Sequence, residues 1–215
     1  MISIFTITAG FSTLMLASAL MLITRMRFSS FVSMFRLLSL FLSLFALATG
    51  YMEGEAHLIA VGILVLIVKV ILIPEFLTRI AHRTNINQRL QSYVRPTALF
   101  FAGLALIGLS FLAALRYIPG TENQLGLGTS LALVMLGILL LLSRTDMFGQ
   151  AVGFLVMENG IFLLGLAMTG GMPFLVEIGI LFDLCVFITL IILLVLRAQA
   201  EHSSIGTEYL RELVD

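Results

Sequence analysis

Four ionisable residues, Arg36, Lys69, Glu158 and Asp183, fall inside long apolar runs and away from their ends. At a lipid-facing helix centre each would cost roughly 2.5–3.5 kcal/mol or more. They are therefore expected to face the protein interior, to pair, or to touch water. A chain that keeps such groups without a cofactor uses them for ion or proton movement. The competing reading is a buried ion pair that fixes helix packing, Lys69 with Glu158 or with Asp183.

Depth sharpens the choice of residues. At ~1.5 Å per residue, Lys69 lies about twelve residues into its run, and Glu158 and Asp183 about ten into theirs. All three are expected near the bilayer midplane. Arg36 lies nearer one face, where its side chain can snorkel to the surface, so its role is structural or that of a relay. Glu177 lies ~9 Å along the axis from Asp183 and on a different face. It lines an outer access path or sits at the membrane surface.

The surroundings of these groups carry further signals. Pro74 lacks a backbone donor and is expected to leave the Val70 carbonyl without its helical partner. A broken turn beside Lys69 is a place for water to enter. Glu75 and Arg79 stand four residues apart and are expected to pair at the interface. Gly153 and Gly160 share one face of the Glu158 helix, where another helix can approach closely. Asn159 adds a neutral donor and acceptor at nearly the same depth.

Other chemistries lack their residues. The chain has one cysteine, Cys185, and three scattered histidines, His57, His82 and His202. These form neither a disulfide framework nor a metal-ligand spacing. No catalytic residue, metal ligand or cofactor site is expected.

The elements that position the charges follow from composition. Of 215 residues, 60% are hydrophobic and only 11% charged, with a mean hydropathy of +1.13. A water-facing surface needs roughly 25% charged residues. This composition excludes an ordinary soluble domain. Twelve basic residues balance twelve acidic ones, so no net field points to nucleic acid.

Apolar runs near 3–24, 31–50, 57–78, 97–115, 127–143, 148–169 and 173–196 are long enough to span a bilayer. The need to satisfy every backbone group internally makes them helices. The expected fold is an all-α integral membrane protein of about seven transmembrane helices. Its parts are a three-helix portion (1–95) with a basic loop, a four-helix portion (96–200) and a tail (201–215). With alternating spans, Arg25, Arg27, Arg79, Arg83, Arg89, Arg95, Arg144, Arg197 and Arg211 share one side, and only Arg116 lies on the other. By the positive-inside rule the N-terminus is outside and the C-terminus cytoplasmic. The first run lacks the basic start of a cleaved leader and reads as a retained helix. In the tail, Thr207 can cap a short helix with an apolar stripe of Tyr209, Leu210, Leu213 and Val214, either a docking segment or a frayed end.

The segment Gly153-Phe154-Leu155-Val156-Met157-Glu158-Asn159-Gly160, followed by Leu175-Val176-Glu177-Ile178-Gly179-Ile180 and Asp183, resembles component E of hydrogenase-4-type complexes. Length, seven spans, and Lys69-Val70 with Pro74 in the third helix agree with that resemblance. The last three helices are similar to the small K subunit of respiratory complex I and to the matching subunit of multisubunit antiporters. Met157 and Asn159 match that subunit's segment. Its first intramembrane glutamate falls at Leu155 here, with Glu158 one turn on, and Asp183 takes the place of the second.

The resemblance implies a non-catalytic subunit of a nickel–iron hydrogenase assembly in a bacterial or archaeal cytoplasmic membrane. Its neighbours would be antiporter-like and quinone-site-like membrane subunits, with cytoplasmic nickel–iron and iron–sulfur subunits reached indirectly. Glu158, Asp183 and Lys69, with Glu177 as a further candidate, would serve as proton-relay groups. Two alternatives remain, a structural spacer between antiporter-like subunits and a subunit of a cation/proton antiporter without a redox partner.

Overall fold

The computed structural model describes residues 4–83, 90–117 and 124–169. In chain order the elements are α1 (Ile4–Thr24), α2 (Phe28–Glu53), α3 (Ala56–Val65), a π-helical segment (Leu66–Leu72), α4 (Ile73–Arg83), α5 (Pro96–Tyr117), α6 (Gln124–Ser143) and α7 (Met147–Thr169). The third span is continuous through α3, the π segment and the start of α4. Six of the described helices are long and apolar enough to cross a membrane. The seventh apolar run, with Glu177 and Asp183, and the tail with its Thr207 cap lie outside the described residues.

The helices outrun some of the apolar runs that predict them. α2 covers Phe28–Glu53, where the run is only 31–50. Helical hydrogen bonding does not stop where hydrocarbon stops, so polar residues at the membrane surface extend the helix. It ends at Gly54, whose φ of 73° places it in the left-handed region, with its amide on the Gly50 carbonyl. Glycine takes that conformation at least cost.

Helix α1 joins the two sides of the bundle, packing on α2 and on α5 and α6. α2 also packs on α3, the π segment and α4, and reaches α7. The closest pair is α6 with α7. Three glycines explain it. A Cβ at Gly160 would lie 2.6 Å from the Val134 amide nitrogen and 2.8 Å from the Ser130 carbonyl oxygen. One at Gly153 would lie 2.9 Å from the Leu141 nitrogen, and one at Gly137 would collide with the Met157 backbone. The face shared by Gly153 and Gly160 is thus the α6 interface, as close approach through small residues requires.

Gly160→Ala should therefore destabilise the bundle by about 1–3 kcal/mol, because the obstacle is backbone and cannot rotate away. A Cβ at Gly10 meets nothing within 4 Å, so Gly10→Ala should be neutral or slightly stabilising. Denaturation of both variants in mixed micelles checks the contrast.

The third span departs from simple helix geometry. The Ile73 amide donates to the Val68 carbonyl, five residues back. Buried residues along this span include Val65, Lys69, Ile73 and Leu77, a row with a step of four. In a pure α-helix such a row drifts by about 40° per step. The wider π turn takes up the drift and keeps the row facing the bundle, while Ile67, Ile71 and Leu72 remain exposed. Pro74 sits just after this segment. In a five-residue register its missing donor is the one aimed at Lys69, not at Val70 as an α-register predicts.

Candidate functional site: a buried ion pair where three spans meet

Lys69 and Glu158 arrive from spans far apart in sequence. Their Nζ and Oε1 atoms are 3.0 Å apart, and each side chain is only 4% exposed. The Lys69 ammonium also donates to Oδ1 of Asn159 at 3.1 Å. The Asn159 amide in turn donates to Oγ of Ser39 at 3.3 Å. Asn159 and Ser39 are fully buried. The cluster therefore joins α2, the π segment and α7.

Its depth is set by the helices. Glu158 has eleven residues of α7 before it and eleven after it in the 23-residue helix Met147–Thr169. At 1.5 Å per residue that is about half of a ~30 Å hydrocarbon core on either side. Lys69 is the buried residue of the π segment. Two turns earlier in the same span, the Gly62 carbonyl accepts the Ser43 hydroxyl at 2.9 Å, fastening α2 to α3 just before the π register begins. Around the cluster, Phe35, Leu38, Leu42, Val65, Leu155 and Val156 belong to the continuous apolar core.

Two members of this cluster, Lys69 and Glu158, can change protonation state. Asn159 and Ser39 cannot at ordinary pH, and they serve to orient the ammonium group. A charge pair in low dielectric is strongly attractive, and breaking it exposes each member to the cost of an unpaired buried ion. The arrangement can hold charge in place, or pass a proton when its surroundings change.

The other predicted residues are placed differently. Arg36 is exposed on the outer side of α2, whereas Ser39 on the same helix faces the cluster. The structure does not bring Arg36 into the site. Glu75 and Arg79 do pair, Nε to Oε1 at 2.9 Å, with both side chains exposed. Such a pair contributes a few tenths of a kcal/mol. Glu177 and Asp183, two of the relay candidates, lie outside the described residues. Among the described residues, no group of three or more His, Cys, Asp or Glu could hold a metal ion.

Arg144 lies at the end of the bundle where the alternating spans put it, but it does not face water. Taken as one of nine basic residues at a membrane surface, it is in fact 1% exposed, the largest fully buried side chain described. Its Nη2 donates to the carbonyls of Ile23 at 3.1 Å and Arg25 at 2.6 Å. Nη1 donates to Sδ of Met26 at 3.2 Å, and the guanidinium carbon lies 5.1 Å from the centre of the Phe31 ring. Arg144 thus covers the C-terminal carbonyls of α1, where a cation meets the negative end of the helix dipole. Burial lowers its pKa and the Asp146 charge opposes that. An arginine stays charged regardless at neutral pH.

A hydropathy profile carries no signal for this burial. Only Arg144, Thr145 and Asp146 separate α6 from α7, and of these three only Arg144 is buried. Asp146 caps α7 through Oδ1, which accepts the Gly149 amide at 2.7 Å, and its Oδ2 accepts the Gln91 amide at 3.2 Å. Further bonds run from the Leu90 amide to the Met26 carbonyl and from the Tyr93 amide to that of Ser143. The connections bearing Arg25, Arg27, Arg95 and Arg144 therefore share one end of the bundle, as the alternating spans predict.

Fold and site together define a multi-pass helical membrane protein with an ion pair buried at mid-depth. The chain is similar to the protein named Uncharacterized protein Rv0085 from Mycobacterium tuberculosis (strain ATCC 25618 / H37Rv). The two are 28% identical over 172 residues, which cover 79% of this chain and 78% of the relative. No protein-family profile and no solved structure matches the chain.

Proposed function

We propose that this chain is a non-catalytic membrane-arm subunit of a complex I-related, hydrogenase-type respiratory assembly. Its part is to carry midplane charge for proton or cation translocation, coupled to redox chemistry in other subunits. The observation that supports this reading is the Lys69–Glu158 pair, 3.0 Å apart and buried at mid-depth where three spans converge. Intramembrane ionisable residues are expensive, and they mark ion paths or proton relays. The Met157-to-Gly160 segment and the chain's resemblance to hydrogenase component E supply the redox context.

On this reading the end that bears Arg25, Arg27, Arg95 and Arg144 faces the cytoplasm of a bacterium or archaeon. Glu158 and Lys69 are relay groups, and Asp183 and Glu177 extend the path. Antiporter-like and quinone-site-like subunits are the membrane neighbours.

In sealed vesicles that hold the intact assembly, Asp183→Asn should assemble normally, whereas Glu158→Gln leaves the buried Lys69 ammonium without its counter-charge and lowers the yield, so translocation is read per assembled complex. Proton translocation should fall about tenfold or more, the effect of raising one transfer barrier by ~1.4 kcal/mol, and electron transfer should slow or uncouple. Normal pumping by both variants removes the relay role.

One observation favours a second reading. The Lys69 ammonium is already held by Glu158 and Asn159, which is how a packing pair in a structural spacer would look. The spacer reading predicts that neutralising both charges together restores whatever either single change loses.

A further inference from the structure

Four successive residues, Leu90–Tyr93, bind across the basic end of the bundle. The Leu90 amide donates to the Met26 carbonyl in the α1–α2 connection at 2.8 Å, and the Tyr93 amide to the Ser143 carbonyl at the end of α6 at 3.0 Å. Between them, the Gln91 amide donates to Oδ2 of Asp146 at 3.2 Å, and the Gln91 carbonyl accepts the Thr145 amide at 3.3 Å. The Ser92 hydroxyl donates to the Ser143 carbonyl at 3.0 Å. Gln91 and Tyr93 are exposed, whereas the Leu90 side chain belongs to the apolar core. The segment is a strap, pinned to two connections and pegged into the bundle by one leucine.

Beneath that peg lies an apolar layer. Between the basic end and the Lys69–Glu158 cluster, every buried residue described on α2, the third span and α7 is apolar or glycine. Phe28, Phe31 and Phe35 are buried on α2, Leu77 on the third span and Val152 on α7. Phe28 meets Phe148 edge to face, with centroids 5.5 Å apart. The eleven residues of α7 before Glu158 give this layer a depth of ~16 Å. Apolar constrictions exclude water and gate ions by doing so. Away from the basic end the character of α2 changes, because buried Ser43 stands one turn beyond Ser39.

Among the described residues, Asp146 supplies the one side-chain bond from the connections to the strap's backbone. Its other oxygen caps α7 through the Gly149 amide, and α7 carries Glu158. One carboxylate therefore ties the strap to the helix of the buried pair. We infer that Leu90–Tyr93 is a latch that closes the basic end over the Lys69–Glu158 pair. Asp146 is its clasp, and releasing it admits protons to the pair from that side. The inference rests on the relay reading of the pair, while the latch itself has a readout of its own.

Asp146→Asn cuts the clasp selectively. One oxygen remains to cap α7, a position that asparagine fills well, while the amide group that faces Gln91 donates and cannot accept. In the full-length chain, hydrogen exchange at the Leu90, Gln91 and Tyr93 amides should quicken about tenfold, with Gly149 protected as in wild type. In sealed vesicles that hold the intact assembly, without an electron donor, proton entry after a pH jump should also quicken about tenfold. Adding Lys69→Met and Glu158→Leu should return it to the wild-type rate. Unchanged exchange at the strap amides overturns the inference, because Asp146 is then no clasp. So does a freed strap with wild-type proton entry, because the strap then seals nothing. Entry that stays fast in the triple variant overturns it as well, since the path then passes the pair by. In each of these cases a Lys69→Met, Glu158→Leu assembly that fails to translocate keeps the relay reading standing. One that translocates normally removes the relay, and the latch with it.

Discussion

Lys69→Met should be among the most damaging single substitutions in the chain, costing about 3–5 kcal/mol of stability. Methionine fills most of the lysine's volume, so the loss is not a cavity effect. It comes from leaving the Glu158 carboxylate in a site where its side chain is 4% exposed, with Asn159 losing its ammonium donor. Adding Glu158→Leu should recover most of that stability, because a pair of apolar side chains can replace a buried salt bridge at little cost. Equilibrium denaturation of the two single variants and the double variant closes the cycle. A cycle with no coupling between the positions would mean that the contact contributes nothing to folding.

The same variants separate the two functional readings. A packing pair is interchangeable with an apolar pair, so the Lys69→Met, Glu158→Leu chain should then assemble and translocate as wild type does. A relay needs groups that change protonation, and neither methionine nor leucine does. The proposed function therefore expects a double variant that is stable, assembled and inactive in translocation. Restored pumping would leave only the spacer.

Arg144→Ala should produce a loss of similar size, about 3–5 kcal/mol, by a different route. Deleting the side chain leaves the Ile23 and Arg25 carbonyls without the Nη2 donor they share and opens a void beside Phe31. Each carbonyl left unsatisfied costs about 1–3 kcal/mol, and the void adds to that. Arg144→Lys should recover only part, since a single ammonium cannot reproduce the planar fork that spans two carbonyls and the Met26 sulfur. Because Arg144 bridges the end of α1 to the α6–α7 connection, its loss should loosen that end first. Hydrogen exchange of the Leu90 and Tyr93 amides, which bond to Met26 and Ser143, reports on this directly. Protection at both amides equal to wild type would show that Arg144 does not hold the connections together.

Several features of this protein are local and so can be read from the chain alone. A bilayer tests each segment separately for about 20 apolar residues, and six of the expected helices are described where their runs lie. The Gly153–Gly160 face needs only helical periodicity to be recognised, and the Glu75–Arg79 pair only a spacing of four. Lys69 and Glu158 stand out because each is costly in its own segment, whatever surrounds it.

Other features depend on how helices are rotated against one another, and a hydropathy profile holds no such term. That Lys69 meets Glu158, and that Asn159 and Ser39 complete the contact, depends on packing between segments far apart in sequence. The π register was hidden for a related reason. A row of buried residues stepping by four becomes visible only once the side that faces the bundle is known. Arg144 shows the limit most plainly, since residue type and position suggest a water-facing charge at the end of the bundle, whereas the side chain is buried; the exposed Arg36 agrees with the snorkelling that its depth allows. Tertiary packing decides such a case, because where a side chain points is set by the neighbours that its segment acquires.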